Sequence, residues 1–325
     1  MRFVTLTLHP AIDRILRVAT LVPGDTFDAQ VELTVPSGKG VNTARSLRPV
    51  VGARSAIHAV AWTGAGESAW FSRELSRLSN VRAVLCPRDC STRLANTLLE
   101  NSARETHIKE SMATPSSSES RALLRCWSAA LRPGDIVAVC GSAPRGTNAT
   151  TLRRVFAIAR ERKAAAVIAD TNGAALEIAG AAGIDGIKGN AAEIGAWLGL
   201  SSPLAPENPK HRRAIQAAFE RRGAPNSIVV TMGPRGAMYL TRDTLLFALP
   251  PPVAKNYIVT TTGCGDAATA GWMWALRDRC DEAELLRRVV ACGTAKLNSA
   301  DPGKLRAHDV RAFIKRISPR KPSYT

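Results

Sequence analysis

The stretch Thr262-Gly263-Cys264-Gly265-Asp266, followed by the small residues 267–271 (AATAG), carries the strongest structural signal in this 325-residue chain. Two glycines around one residue predict a tight turn that opens a helix, and the first amides of a helix lack backbone partners. These amides and the helix dipole make a site for an anion. A carboxylate repels a bound phosphate, so Asp266 suits a general base that takes a proton from an attacking hydroxyl. The simpler alternative is an Asp that caps the helix.

Strand-like and helix-like segments alternate along the rest of the chain. Predicted strands cover residues 3–8, 56–62, 136–140, 164–169, 186–188 and 227–231, and predicted helices cover residues 41–50, 150–163, 191–198 and 267–276. This β-α-β-α order favours an open, mostly parallel α/β sheet with helices on both faces. The length suits one domain over residues 1–325, and there is no internal repeat of 20–50 residues.

Two segments, about residues 14–35 and 91–112, interrupt this order with short alternating stretches that have no helical period. They predict a small antiparallel layer outside the main sheet. One interpretation is a lid over an active site, and the other is ordinary hairpin decoration of the domain.

The chain is strongly basic, with a net charge of +17 and a pI of about 10.3. Lys and Arg are spread along the sequence, and only residues 315–321 concentrate them. Because aromatic residues make up only 5% and no recognition motif is present, we expect no nucleic-acid partner. The charge can attract phosphate-bearing ligands, or it can simply solvate the surface.

Neither a membrane segment nor a disulfide framework is expected. No apolar run reaches 18 residues, and the N-terminus reads as a strand instead of a signal peptide. Seven cysteines, at positions 86, 90, 126, 140, 264, 280 and 292, include no Cys-x-x-Cys pair. An odd count without metal spacing predicts free thiols in a reducing cytoplasm.

A second glycine-rich stretch, residues 37–42 (SGKGVN), opens the first predicted helix. Glycine allows close backbone approach, and Lys39 and Asn42 supply hydrogen-bond donors for a polar ligand. The stretch does not match the phosphate-loop pattern G-x-x-x-x-G-K-[ST]. Taken alone, the stretch is better explained by a simple glycine turn.

Together these motifs resemble the PfkB, or ribokinase-like, carbohydrate kinase family, and within it the 1-phosphofructokinase and tagatose-6-phosphate kinase branch. Residues 263–266 (GCGD) and 38–42 (GKGVN) resemble the two family signatures, and 9–13 (HPAID) resembles the opening motif of the branch. Further matches follow in the family's order at 141–146, 170–171, 188–193 and 231–237. The resemblance implies a ribokinase-like three-layer α/β/α open sheet with a small β-stranded lid.

The resemblance also implies roles for individual positions. Asp266 would be the catalytic base, and the loop formed by Gly263, Cys264 and Gly265 would stabilise charge on the transferring phosphoryl group. The implied substrate-binding residues are Asp13, Gly38, Lys39, Asn42, Arg93 and Ser142. The implied nucleotide-binding residues are Lys188, Asn190, Thr231, Gly233, Gly236 and Asn298, and Glu193 would act on magnesium through water.

Three of these assignments have plain structural alternatives. Arg93 would grip the phosphate already on the substrate through its planar fork, or it is a surface Arg on a lid strand. Ser142 could belong to a turn and Asn298 to a helix end. The chain also departs from the family, with His9 in place of Asn and Gly189 in place of Pro. His9 leaves the identity of the substrate open.

The implied function is ATP-dependent transfer of a γ-phosphoryl group to a hydroxyl of a ketohexose phosphate. Candidate substrates are fructose 1-phosphate, fructose 6-phosphate and tagatose 6-phosphate, with ATP and Mg²⁺ as cofactors and a possible homodimer through the lid. One alternative is a kinase for an unphosphorylated sugar or nucleoside, although Arg93 and Lys39 supply charge that such substrates do not need. A remote alternative is a non-catalytic basic protein that binds anions or nucleic acid.

Overall fold

The structure is a computed structural model that describes residues 1–102, 104–205, 208–221 and 223–321. Within these ranges the strands are, in chain order, β1 (Phe3–Thr7), β2 (Ala11–Val18), β3 (Gln30–Ser37), β4 (Ile57–Ala61), β5 (Val81–Leu85), β6 (Leu94–Glu100), β7 (Glu105–Lys109), β8 (Ile136–Cys140), β9 (Ala166–Asp170), β10 (Gly186–Asn190), β11 (Ile228–Thr231), β12 (Ala237–Leu240) and β13 (Leu245–Ala248).

The helices in the same ranges are α1 (Lys39–Val51), α2 (Ala65–Ser76), α3 (Ser117–Ala130), α4 (Ala149–Glu161), α5 (Gly173–Ala179), α6 (Ala191–Trp197), α7 (Pro209–Glu220), α8 (Cys264–Asp278), α9 (Glu282–Lys296) and α10 (Ala307–Ile314). None of these helices is both long and apolar enough to cross a membrane.

The main sheet has nine strands in the order β13-β12-β11-β10-β9-β8-β1-β4-β5. The pairs from β11 to β5 are parallel, while β12 and β13 add an antiparallel edge. Strands β1, β8 and β9 are buried along their whole length. Such apolar runs are typical of parallel strands that are covered on both faces.

Helices cover both faces of this sheet. One hydrophobic cluster packs one face against α1, α2, α8, α9 and α10, and a second packs the other face against α3, α4, α5, α6 and α7. This arrangement confirms the predicted three-layer α/β/α architecture.

A second sheet of four strands, in the order β3-β2-β6-β7, lies outside the main sheet. The sequence predicted an antiparallel layer, but its central pair, β2 and β6, is parallel. The outer pairs β2–β3 and β6–β7 are antiparallel hairpins. The difference arises because β2 and β6 each leave the same, carboxyl edge of the main sheet, after β1 and β5, and so enter the small sheet in the same direction.

The expectation that all cysteines are free thiols is wrong for one pair. Cys86 and Cys126 form a disulfide across 40 positions of sequence, between the end of β5 and helix α3. The remaining five cysteines are free. Sequence spacing could not reveal this bond, because only the packing of α3 beside β5 brings the two residues together.

Candidate active site

The carboxyl ends of four neighbouring parallel strands, β10, β9, β8 and β1, meet at one edge of the main sheet. Lys188 lies in β10 and Asp170 ends β9, while Ser142 and His9 each follow the end of their strand by two residues. Open α/β sheets bind ligands in the crevice outside this edge. The strand order therefore gathers residues that are up to 179 positions apart in sequence.

Asp170 organises two lysines at this edge. Its Oδ1 lies 3.0 Å from Lys39 Nζ and its Oδ2 lies 2.9 Å from Lys188 Nζ, and the Thr269 hydroxyl donates to Oδ2 at 2.6 Å. Burial alone would raise the pKa of Asp170, but Lys188 and Lys39 outweigh it and hold that pKa below its ordinary value. The Asp170 carboxylate in turn raises the pKa of Lys39. The Asp170 carboxylate therefore holds both lysine side chains in place.

Asp266 lies in the first turn of α8 and is only 6% exposed. Asn42 Nδ2 donates to its Oδ2 at 2.9 Å, and the Thr43 hydroxyl donates to its backbone oxygen at 3.2 Å. Burial, followed by the nearby charge of Asp170, raises the pKa of Asp266 to about 7. A carboxyl group with a pKa near the working pH is suited to general base catalysis.

The residues 261–265 before Asp266, here called the anion loop, present unpaired amides. Gly263 is the N-cap of α8 in the left-handed conformation, with φ 87°, and no side chain caps the helix. The Cys264 amide donates to Thr261 O at 3.2 Å. Among the described residues, nothing accepts from the amides of Gly263, Gly265 and Asp266. A Cβ on Gly265 would lie 3.6 Å from Lys188 Nζ, so a buried ammonium stands beside these amides.

A chain of polar contacts links Asp266 to the predicted substrate-binding carboxylate. The Ser37 hydroxyl lies 2.6 Å from Asp13 Oδ2 and 3.0 Å from Asn42 Oδ1, and Asn42 contacts Asp266. Burial raises the pKa of Asp13 above its usual range. The structure therefore brings Asp13, Asn42 and Asp266 into one connected group.

Gly38 lies at the turn before α1, with φ 108°. A Cβ at this position would lie 2.6 Å from Thr7 Cγ2 and 2.9 Å from the Pro10 backbone. Only glycine fits there, because both the backbone conformation and the space exclude a side chain.

Arg93 contacts the loop that follows β1. Its Nε donates to Pro10 O and one terminal nitrogen donates to His9 O, both at 3.3 Å. His9 Nδ1 lies 3.3 Å from Ser142 Oγ. Burial, and then the charges of Arg93 and Arg88, lower the pKa of His9 to about 4, so this ring is neutral at neutral pH. Arg93 and Ser142 thus flank the same histidine.

A cavity of about 460 Å³ lies next to the segment that leads into the anion loop. Its lining includes Tyr257, Asn298, Phe313 and Arg316, and Tyr257 donates to Asp309 Oδ2 at 2.8 Å. Backbone pairing of Val259 N with Leu297 O joins this wall to the loop. An aromatic floor with polar edges is the usual lining of a small-molecule site.

Three other predicted nucleotide-binding residues lie outside this cavity. Thr231 pairs with Asn190 at the carboxyl ends of β11 and β10, but Thr231, Gly233 and Gly236 do not line the cavity. Gly236 has a packing role of its own, since a Cβ there would lie 2.0 Å from Ala248 O.

Asn190 and Glu193 form a capping box at the start of α6. Asn190 Oδ1 accepts from the Ala192 and Glu193 amides, and Glu193 Oε2 accepts from the Asn190 amide at 2.8 Å. The carboxylate of Glu193, the residue predicted to act on magnesium, is thus held at the N-terminus of α6. In the described part of the chain, no group of three or more His, Cys, Asp or Glu side chains could hold a metal.

Sequence reasoning gave no role to several residues that shape the site. Asp170 belongs to one of the family matches and Ser37 to the glycine-rich stretch, and the sequence assigns neither of them a role. In the structure both contact predicted site residues. Asp170 ends a buried strand at the ligand-binding edge, which is a usable signal. Thr269 contacts Asp170 and Glu105 contacts the anion loop, but the sequence carries no comparable signal for either residue.

The site combines a buried carboxylate of raised pKa with unpaired helix amides and fixed ammonium groups at the carboxyl edge of an open sheet. These groups can accept a proton and offset negative charge, which is the chemistry of a phosphoryl-transfer kinase. The chain belongs to the pfkB family of carbohydrate kinases, whose profile matches residues 9–305. It is 31% identical over 314 residues to 1-phosphofructokinase from Rhodobacter capsulatus, covering 93% of this chain and 92% of that protein.

Two further comparisons agree with this assignment. The chain is 26% identical over 297 residues to ATP-dependent 6-phosphofructokinase isozyme 2 from Escherichia coli K12, covering 91% of this chain and 92% of that protein. A crystal structure of phosphofructokinase-2 from Escherichia coli matches the fold with a TM-score of 0.86 at 23% identity, over 97% of this chain and 98% of that one. Another structure of that enzyme is a tetrameric, inhibited form.

Proposed function

We propose that this protein is an ATP-dependent phosphosugar kinase that phosphorylates a hydroxyl of a ketohexose phosphate. The observation that carries the proposal is the position of Asp266. This residue has a pKa of about 7 and follows directly after the unpaired amides of Gly263 and Gly265. Proton removal and stabilisation of negative charge can thus occur at one point. The relatives named 1-phosphofructokinase and 6-phosphofructokinase support the substrate class.

In this mechanism the Asp266 carboxylate takes the proton from the sugar hydroxyl as that oxygen attacks the γ-phosphoryl group in line. Amides of the anion loop and the Lys188 ammonium offset the negative charge on the transferring group. Mg²⁺ bound to the nucleotide phosphates, with Glu193 reaching it through water, would supply further positive charge. Asn42 holds the Asp266 carboxylate through the 2.9 Å hydrogen bond to Oδ2.

The sugar phosphate would bind on the β1 side of the edge. Asp13 accepts hydrogen bonds from sugar hydroxyls, and Gly38 lets the chain approach closely. Arg93 binds the phosphate already on the sugar, in exchange for its two long contacts to backbone oxygens. Lys39 and Ser142 complete this side. An arginine that holds only carbonyl oxygens at 3.3 Å can improve its contacts with a phosphate.

The nucleotide would bind on the other side of the anion loop. Its base fits the cavity beside Tyr257 and Asn298, and its phosphates reach Lys188 and the loop. Thr231 and Asn190, at the ends of β11 and β10, lie at the same edge and would contact the ribose or phosphates.

We further propose that residues 1–325 act as one kinase domain in the cytoplasm, where ATP and phosphosugars are available. The segments at about 14–35 and 91–112 would act as a lid that excludes water and limits ATP hydrolysis. Exposed Val31 and Ile108 on the outer strands of the small sheet support a homodimer through the lid.

A substrate panel tests the proposal. ATP consumption is measured with fructose 1-phosphate, fructose 6-phosphate, tagatose 6-phosphate, ribose and adenosine, with the Asp266→Asn variant as the blank. We expect a ketohexose phosphate to give the highest kcat/KM. Preference for ribose or adenosine would refute the phosphosugar assignment, and equal rates in the blank would refute the role of Asp266.

A further inference from the structure

One acidic side chain of the small sheet is half-buried on a strand that is otherwise mostly exposed. Glu105 opens β7, whose last three residues are exposed, yet only 17% of the Glu105 side chain is exposed. The carboxylate reaches across to the anion loop. Its Oε1 accepts from the Thr261 amide at 3.1 Å, and the Thr262 hydroxyl lies 3.4 Å from Oε2. A side chain from the lid sheet therefore contacts the two residues that precede Gly263.

Two neighbours orient this carboxylate. His107, two positions along β7 and on the same face, places Nε2 3.5 Å from Glu105 Oε2. Its Nδ1 lies 3.1 Å from the hydroxyl of Thr97, the residue opposite His107 on β6. Thr97, His107 and Glu105 thus form a row of polar contacts across the small sheet.

The anion loop has little freedom on its other side. A Cβ on Gly263 would lie 2.2 Å from Pro302 O, so backbone closes against backbone there. Val259 N donates to Leu297 O just before the loop. Since the loop is backed by fixed backbone, the contact with Glu105 decides its position on the open side.

We propose that Glu105 is a positioning residue that latches the lid sheet to the anion loop and sets the loop's amides for phosphoryl transfer. The effect of the latch on catalysis rests on the proposed kinase function, whereas its effect on the position of the anion loop does not. When the sugar phosphate closes the lid, Glu105 would fix the position of the anion loop. When the nucleotide orders the anion loop, Glu105 would fix the position of the lid. The two substrate sides would thereby be coupled through one carboxylate.

Four variants separate the effect of the length of the Glu105 side chain from the effect of its charge. Glu105→Ala removes the contact, Glu105→Asp keeps the charge but withdraws it by one methylene, and Glu105→Gln keeps the length and an acceptor oxygen for the Thr261 amide. Glu32→Gln is the matched control, because Glu32 is a lid glutamate that pairs with Arg17 and not with the loop. The readouts are kcat, the two KM values and hydrogen exchange of a peptide covering residues 259–266.

We expect Glu105→Ala and Glu105→Asp to speed hydrogen exchange in that peptide and to lower kcat about 10- to 100-fold, the worth of one charge-assisted hydrogen bond. KM for the phosphosugar should change less, because the sugar contacts remain. Glu105→Gln should lose less, about three- to tenfold, because a neutral acceptor keeps about half the strength of a charge-assisted bond. Glu32→Gln should match the wild type in every readout.

Normal kcat and loop exchange in Glu105→Ala would overturn the latch. So would a normal Glu105→Asp with an impaired Glu105→Gln, since the negative charge and not the contact would then matter. If Glu105→Ala does not fold, the Asp and Gln pair decides the question alone. Faster loop exchange in Glu105→Asp, with a wild type inactive on every sugar, would support the latch while refuting the proposed function.

Discussion

At the carboxyl edge of the main sheet, Asp170 and Lys188 are almost completely buried, whereas on the outer strand β3 of the small sheet Glu32 pairs with Arg17 near the solvent. Both are ion pairs, but their energetics differ. A buried charge that loses its partner is left without water, and a surface charge is not. Charge at the edge is therefore fixed in place, whereas the Glu32–Arg17 pair of the lid remains hydrated.

Glu105 is the exception that links the two regions. It belongs to the exposed sheet by sequence and to the buried edge by its contacts with Thr261 and Thr262. Five predictions test how far the contrast between edge and lid extends.

The largest expected effect is on turnover. Asp266→Asn should lower kcat about 10²–10⁴-fold, the usual contribution of a general base, while ATP affinity stays nearly constant. Asp278→Asn, at the exposed end of the same helix, is the matched control and should be close to wild type. Steady-state kinetics and ATP titration check this. A nearly active Asp266→Asn would remove the carboxylate from the mechanism.

Breaking the buried group should also affect stability. Asp170→Asn leaves Lys39 and Lys188 without their shared carboxylate and should lower the free energy of unfolding by about 3–5 kcal/mol. Glu32→Gln, which breaks the surface pair with Arg17, should cost less than about 1 kcal/mol. Urea unfolding of the two variants measures both. Equal losses would contradict the contrast between edge and lid.

Arg93 lies where the edge meets the lid. Arg93→Ala should raise KM for the phosphosugar about 10- to 100-fold, the loss of a charge-assisted contact, with little change in kcat or KM for ATP. Arg93→Lys should recover part of the affinity, because it keeps the charge but not the fork. An unchanged KM in Arg93→Ala would show that the substrate phosphate is held elsewhere.

The smallest effect concerns pH. The pKa of Asp266 is raised from 3.8 to about 7 by burial, so its protonated form is favoured in the folded state. The stability it contributes is present in acid and is lost as pH rises through about 7. From pH 6 to 7 the wild type should lose about 1 kcal/mol more than Asp266→Asn, and from pH 7 to 8 only about 0.4 kcal/mol more. Thermal unfolding at pH 6, 7 and 8 checks the sign.

The same titration predicts that kcat/KM rises with pH up to about 7, because only the carboxylate accepts a proton. A rate that stays flat from pH 5 to 8 would contradict this assignment.

Much of the fold could be read from the sequence. The continuous apolar strands, as in β8 and β9, and the glycine turns at their ends predicted an open parallel sheet. Helix α8 was predicted to start after Gly265, and in the structure it starts at Cys264. Strand β5, the antiparallel edge strands β12 and β13, and the helices α2, α3, α5, α7, α9 and α10 were not predicted. Helix α3 carries a usable signal, since Ser116 and Glu119 form a capping box at its start.

The candidate site was predictable only in part. Glycine-rich motifs pointed to Asp266 and Lys39, since short spacing and residue chemistry carry that signal, whereas Arg93 came only from the family resemblance. The partners that fix them, such as Asp170 for the lysines, depend on neighbouring strands. The Cys86–Cys126 bond depends likewise on how α3 packs against the sheet.

The sequence by itself determined the strand–helix alternation of a parallel sheet, the glycine turns and the residue types that phosphoryl transfer needs, because these are local properties of short segments. The tertiary structure alone decided the parallel pairing of β2 with β6, the raised pKa of Asp266 and the reach of Glu105 to the anion loop. Those features depend on burial and on charges from distant parts of the chain, which exist only once the sheet has formed.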